Sequence, residues 1–243
     1  GTLGHRPIAF AAGPDGAFWT VVPAPVGARE LALRWTVAYV GGAERGEEHV
    51  WPVARREFPS EVLQVARRFT RPPAAVQARI EEERRLVQEV LQQVTPEPLW
   101  TEPFALPRED RFTSLFGTAR VFNGEIQSRH WGDDIAGRPG DPVAAANRGR
   151  VALARELYFS GNSVYVDHGL GLYTAYFHLS EILVREGELV EKGQILGRVG
   201  ATGRVTGPHL HWSANWQGIP VEPRALLELG APPAATAPGA DPR

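Results

Sequence analysis

One stretch of helical period stands between two long segments that read as strands, and this arrangement bounds the architecture more tightly than any other feature. From Pro72-Pro73 to about Val94, the apolar residues Val76, Ile80, Val87, Leu91 and Val94 recur at three-, four- and seven-residue steps. That spacing lays them in one stripe along a helix. Proline suits a helix's first turn, and Glu81 and Arg85 stand four apart on the opposite, charged face. Before the helix, Leu31, Leu33, Trp35, Val37 and Tyr39 alternate with smaller or polar residues, the period of a strand with one covered face. Gly41-Gly42 ends that run, Val50 to Val53 starts another, and Gly13-Pro14, Pro23 and Pro25 mark turns. After the helix, from Phe112 to about Leu229, the chain is glycine-rich and strand-like, with segments such as Ser163–His168 and Tyr173–His178.

The expectation is a mainly β protein in four parts. Residues 1–70 form a β-sandwich-like N-terminal domain, and residues 71–111 a connecting α-helix and proline-rich connector. Residues 112–229 form a C-terminal antiparallel β-sheet domain, and residues 230–243 a disordered tail rich in Ala, Pro and Gly. The prolines of Thr95-Pro96-Glu97-Pro98, with Pro103 and Pro107, motivate the boundary between the helix and the second β domain.

Composition excludes more than it specifies. A net charge of −2 leaves no electrostatic footprint for nucleic acid. The absence of cysteine removes disulfides, thiolate nucleophiles and Cys-type zinc sites together. The apolar stretch Ile8 to Ala12 is far too short to span a bilayer, and no charged-then-apolar export signal is visible.

Five of the seven histidines fall in the second half. His130 and Asp134 lie four residues apart, about 13 Å in an extended strand and too far for one metal ion. Gly132 between them is expected to allow a bend that brings the two side chains together. In His209-Leu210-His211 the two imidazoles project from one face of a strand, roughly 6.6 Å apart along the backbone. That spacing suits one histidine on a metal and the other beside the metal's open position. A lone H-x-H is more often a pair of ordinary strand histidines, so the spacing needs support from elsewhere.

The support is a resemblance. His130-Trp131-Gly132-Asp133-Asp134, Tyr176-Phe177-His178-Leu179 and Gly207-Pro208-His209-Leu210-His211 resemble, in order, the three signature segments of the lysostaphin-type (LytM-like) zinc peptidases. The run from Gly187 to Gly197 is similar to that family's central hairpin, and Gly200-Ala201-Thr202-Gly203 to its approach to the last motif. The likeness covers roughly Phe112 to Leu227, and three ordered motifs are far more specific than one.

The resemblance implies that His130, Asp134 and His211 hold a single Zn2+ and that His178 and His209 flank the metal's water as catalytic groups. Two histidines and a carboxylate leave a fourth position open, where zinc lowers the pKa of water to about 7. By family register Asp134 is the ligand and Asp133 faces away. Some members carry a tyrosine upstream near the oxyanion; here Arg120 and Asn123 stand in that region. His168 receives no catalytic role and reads as a structural histidine.

The implied activity is hydrolysis of peptide bonds in peptidoglycan cross-links by an exported enzyme of the periplasm or cell wall. The implied partners are peptidoglycan peptides and a wall or divisome protein met through the N-terminal domain or helix. Two rival readings differ in class. A catalytically silent relative would act as a scaffold that activates another wall hydrolase, and such proteins lose ligands that are all present here. A lipoyl- or biotinyl-type carrier would need a modifiable hairpin lysine, for which Lys192 is the sole candidate because it is the only lysine.

Overall fold

The structure, a computed structural model, describes residues 1–4, 6–14, 17–38, 42–124 and 126–233. His5, Tyr39, Gly41 and the tail beyond residue 233 lie outside the described residues. The architecture is mainly β, with several antiparallel sheets and one long helix.

The dominant element is an eight-stranded sheet in the second half. Its strands run, side by side, Leu189–Val190, Gly149–Leu157, Gly161–Asp167, Leu172–Leu179, His209–Trp216, Asp133–Ala136 and Phe112–Ser114, with Ile219–Val221 pairing onto His209–Trp216. All of these pairings are antiparallel. Alternation sends Val164, Val166, Leu172, Tyr176, Leu210 and Trp212 to one face. There they pack with Val143 and Leu196 of a smaller sheet made of Pro142–Ala144, Ile195–Arg198 and Glu181–Ile182, and with Val199 just after it. The opposite face carries Leu153, Tyr165, Tyr173 and Ala175, and onto it the helix lays Val90 and Leu91.

The helix spans Ala74–Gln92, directly after Pro73, as the stripe predicts. The predicted Glu81–Arg85 pair is absent among the described contacts. Glu81 instead meets Arg84, and Arg85 meets Glu89.

The connector is more than a spacer. Trp100 and Phe104 are 1% and 5% exposed and belong to the same apolar cluster as the sheet. Leu99 N–H also donates to His168 O at 2.7 Å. Proline-rich chain can therefore form part of a core where its few large side chains point inward.

The first segment likewise leans on the second half of the chain. Thr2–Leu3, Arg6–Pro7, Glu30–Ala38 and Glu44–Pro52 form a four-stranded sheet, and Ala11–Ala12 pairs with Phe18–Trp19. Ile8 and Leu33 from this segment share an apolar cluster with Trp216 of the large sheet. Ser60–Leu63 pairs in parallel with Ala119–Phe122, next to the antiparallel strand Ile126–Arg129. Main-chain pairing and apolar packing thus both cross the positions 70 and 111 marked as boundaries by composition.

Candidate metal centre

The site is built where three adjacent strands of the large sheet present polar side chains on the helix-bearing face, beyond the helix. Asp134 is paired in register with His211, and Phe177 stands on the other side of His211. Among the described residues, His130, Asp134 and His211 each offer one ligand atom within 4.8 Å of the other two. His130 Nε2 lies 3.0 Å from Asp134 Oδ1 and 3.0 Å from His211 Nδ1, and His211 Nδ1 lies 2.8 Å from Asp134 Oδ1. All three residues are buried or nearly so, at 2%, 6% and 9% exposure.

The donor chemistry fits a divalent cation. His130 Nδ1 lies 3.1 Å from the Leu115 carbonyl oxygen and 3.2 Å from Ser114 Oγ, and the tautomer that serves the carbonyl puts the proton on Nδ1. Nε2 therefore carries a lone pair directed at a carboxylate oxygen, an arrangement that a cation between them relieves. Zinc bonds of about 2.0–2.2 Å at tetrahedral angles place ligand atoms roughly 3.3–3.5 Å apart. The observed triangle is only slightly tighter.

The two carboxylates at 133 and 134 have different surroundings because adjacent residues in a strand face opposite sides. Asp133 is fully buried beneath the sheet, where Oδ1 accepts from Phe116 N–H at 2.7 Å and Oδ2 from Arg224 Nε at 3.1 Å. Burial raises its pKa, with the Phe116 hydrogen bond and the Arg224 charge opposing. Asp134 shows the reverse balance. Burial alone would raise its pKa, but its contacts with His130, His209 and His211 hold it well below the usual carboxylate range. Its second oxygen accepts from Arg120 at 2.6 Å.

Gly132 has a different role from the one its sequence position suggests. Its φ is not in the left-handed region, so no bend special to glycine is being made. A Cβ at 132 would instead sit 2.5 Å from His211 Nε2 and 2.6 Å from Trp212 O. The residue is small so that the two strands can bring His130 and His211 together.

His178 reaches the site through an irregularity that alternation alone would not foresee. In a regular strand Phe177 and His178 would face opposite ways. Phe177 stacks on His211 with ring centroids 5.2 Å apart and planes within 3°, yet the His178 ring also lies on this side, 5.0 Å from His209. The register slips between Asn162 and Val164, leaving an extra residue on the partner strand, and His178 itself has φ +63°. A bulge that re-aims one side chain, with a non-glycine residue held in the left-handed region, is a device common at functional sites. His178 Nδ1 donates to Thr202 O at 2.8 Å, and His178 N–H to Ser160 O at 2.9 Å. Its Nε2 is thereby left as an acceptor.

His209 Nδ1 donates to Gly207 O at 2.8 Å, and its Nε2 stands 3.5 Å from Asp134 Oδ1. Burial, followed by the charges of His209 and His211, lowers the pKa of His178 well below the ordinary histidine value. Burial also works against a charged His209, but the hydrogen bond to Asp134 and that residue's charge outweigh it and raise the pKa. Burial lowers His211 to about 4. The two imidazoles that flank the donor triangle are thus pushed in opposite directions.

Sequence reasoning did not identify the support around Asp134. Arg120 donates through Nε to Glu61 and through NH2 to Ser114 Oγ at 2.9 Å, as well as to Asp134. Its partner Glu61 comes from the strand Ser60–Leu63, whose short run carries no motif. Asn123, the other upstream candidate, is engaged elsewhere. Its side chain bridges both backbone groups of Val65 at 2.8 and 2.9 Å. His168 is fully buried, with Nδ1 donating to Arg148 O and Nε2 on Thr174 Oγ1, each at 2.8 Å. Lys192 is paired with Glu102 at 2.9 Å.

Comparison with known proteins agrees with this geometry. Residues 128–223 match the model of peptidase family M23. Peptidoglycan DD-endopeptidase ShyC of Vibrio cholerae is 41% identical over 118 residues, covering 48% of this chain and 27% of its own length. The DD-carboxypeptidase/endopeptidase Mpg of Neisseria meningitidis is 43% identical over 94 residues, covering 39% of this chain and 22% of its own. The chain therefore spans about a quarter of the length of these relatives. A crystal structure of a Pseudomonas aeruginosa protein assigned to peptidase M23 superposes with a TM-score of 0.71 at 26% identity, over 93% of this chain and 86% of that one. The donor triangle, its flanking imidazoles and these matches coincide on one stretch of sequence, and that stretch, residues 128–223, is a peptidase M23 domain of the lysostaphin type.

Proposed function

We propose that this chain is a zinc-dependent endopeptidase that hydrolyses peptide bonds in peptidoglycan cross-links. One zinc ion per chain is held by His130, Asp134 and His211, and His178 and His209 transfer protons. The observation that carries the reading is the triangle of donor atoms 2.8 to 3.0 Å apart, flanked by two imidazoles tied at Nδ1 to backbone carbonyls. The names of the curated relatives supply the substrate class.

Zinc bound to these atoms supplies a Lewis acid that polarises the scissile carbonyl and acidifies water. The protein's own groups do the rest. His178 is kept neutral by burial and presents its Nε2 lone pair to the cleft, so it takes the proton of the attacking water. His209, with Nδ1 tied to Gly207 O, presents Nε2 to the same cleft and gives a proton to the leaving amine. Arg120 fixes Asp134 from behind and thereby orients the carboxylate. Cross-links of this kind lie outside the cytoplasm, so the reading places the working enzyme in the periplasm or wall. A wall or division partner would meet the exposed N-terminal strands or the helix. The test is zinc content by elemental analysis together with digestion of a defined cross-linked muropeptide. One zinc per chain and product masses that sum to substrate plus water are expected. A chain that takes up no zinc on reconstitution would overturn the reading.

A further inference from the structure

Four arginines, Arg111, Arg120, Arg129 and Arg204, line the cleft of about 640 Å³ over the site, against two carboxylates, Glu61 and Asp134. Arg120 is committed to Glu61, Ser114 and Asp134. Arg129 donates to Gly117 O and lies over the rings of Phe58 and Trp131. Arg111 is exposed and shares its charge with Asp110. Arg204 differs from all three. Among the described residues its guanidinium has no ion pair and no hydrogen-bond partner, although it is half-buried.

What holds Arg204 is aromatic. Its guanidinium carbon lies 4.5 Å from the Phe122 ring centroid and 4.9 Å from that of Phe159. Such contacts fix the group by its faces and leave its N–H edge, the part that binds a planar anion, without a partner. The backbone is equally fixed. Arg204 N–H donates to Phe159 O at 2.8 Å, and a Cβ on Gly203, whose φ is +74°, would lie 2.4 Å from Gly161 N. Burial, and then the neighbouring charge of Arg120, disfavour the cation. A desolvated, preorganised cation without a protein counterion is strongly improved by an anion from solution. The same loop places Arg204 two residues after Thr202, which holds His178, and five before His209.

We propose that Arg204 is a specificity-determining residue whose free guanidinium edge takes a carboxylate of the peptide substrate in the cleft. The proposal rests on the endopeptidase reading above, and the ligand chemistry is that of an acidic peptide.

The test uses the full, zinc-loaded chain and two probes, each in a free-acid form and a form with its carboxylates amidated. One probe is an uncross-linked stem tetrapeptide, titrated calorimetrically for binding without turnover. The other is a cross-linked muropeptide, followed for cleavage. The wild type is expected to bind and cut the free acid about 10- to 100-fold better than the amide, the range of a charge-assisted, two-pronged hydrogen bond. Arg204→Gln should bring the free acid down to the amide's level and leave the amide unchanged. Arg204→Lys, which keeps the charge and a stem between the rings, should retain part of the preference. It is also the variant to read if the glutamine protein fails to fold. Equal treatment of acid and amide by the wild type would overturn the proposal. So would an equal loss on both forms in a folded, zinc-bound variant, which would make Arg204 merely structural. A preference seen in binding with neither muropeptide cut would sink the endopeptidase reading and leave the carboxylate site standing.

Discussion

Two strands of similar length show how unequally this chain holds its β-structure. Leu172–Leu179 is buried at every position except Phe177, whereas Glu44–Pro52 is exposed at all nine. The first is packed on both faces, by the small sheet on one side and the helix on the other. The second is one arm of a hairpin with Glu30–Ala38, and its Val50 and Trp51 remain 49% and 41% exposed. The hairpin register is complete, so backbone pairing alone does not distinguish the two regions. Burial does, and the chemistry sits where burial is greatest. In such surroundings two neighbouring histidines are pushed in opposite directions, His178 down and His209 up.

The comparison can be broken most severely at the donor atoms. Replacing His130, Asp134 or His211 with Ala should abolish zinc retention and turnover together, measured by elemental analysis and muropeptide cleavage. Replacing His178 or His209 should leave zinc in place and lower turnover by about 10²–10⁴-fold, the usual contribution of a proton-transfer group. Zinc lost from His209→Ala but kept by His211→Ala would reverse the roles assigned to the two histidines of that strand.

Smaller effects sharpen the contrast in stability. Trp100→Ala empties a core position that is 1% exposed and should cost about 3–5 kcal/mol in urea unfolding. For the same reason a fragment beginning at Phe112 should be markedly less stable than one beginning at Thr95. Proteolysis that yields a robust fragment from residue 112 would contradict that. Next comes pH. Burial lowers His168 to about 4, so the folded state leaves it neutral while the unfolded chain protonates it near 6.5. Its contribution is complete above pH 6.5 and is lost as pH falls toward 4, about 3 kcal/mol in all. His168→Gln should flatten the dependence of the urea midpoint on pH within that window. At the small end, Trp51→Ala on the exposed strand should change stability by no more than about 0.5 kcal/mol.

What could be read in the sequence followed the periodicity of local patterns. The stripe from Val76 to Val94 located the helix, and the two-residue spacing of His209 and His211 put both rings on one face of a strand. The structure brings the donor atoms of His130, Asp134 and His211 within 4.8 Å of one another. Features that depend on irregularity or on distance were hidden. A strict alternation turns His178 away from Phe177, and only the slip at Asn162 brings both to the same side. Arg120 meets Glu61 across 59 residues, a partnership with no local trace. Trp100 lies among prolines that signal a linker, yet its side chain enters the core.

The order of strands in the large sheet has a consequence for how the chain is made. His209–Trp216, which follows every other strand of this sheet but Ile219–Val221 in chain order, lies between Leu172–Leu179 and Asp133–Ala136, in the interior of the sheet. Until it arrives, both neighbours present open edges, apolar and ready to pair with any extended chain. The nascent protein therefore passes through a stage in which six strands of this sheet exist but the sheet is split and two of its histidines are missing. Loss of the strand His209–Trp216 would trap that stage. It would produce a sticky half-sheet without the donor triangle, a target for chaperones and proteases.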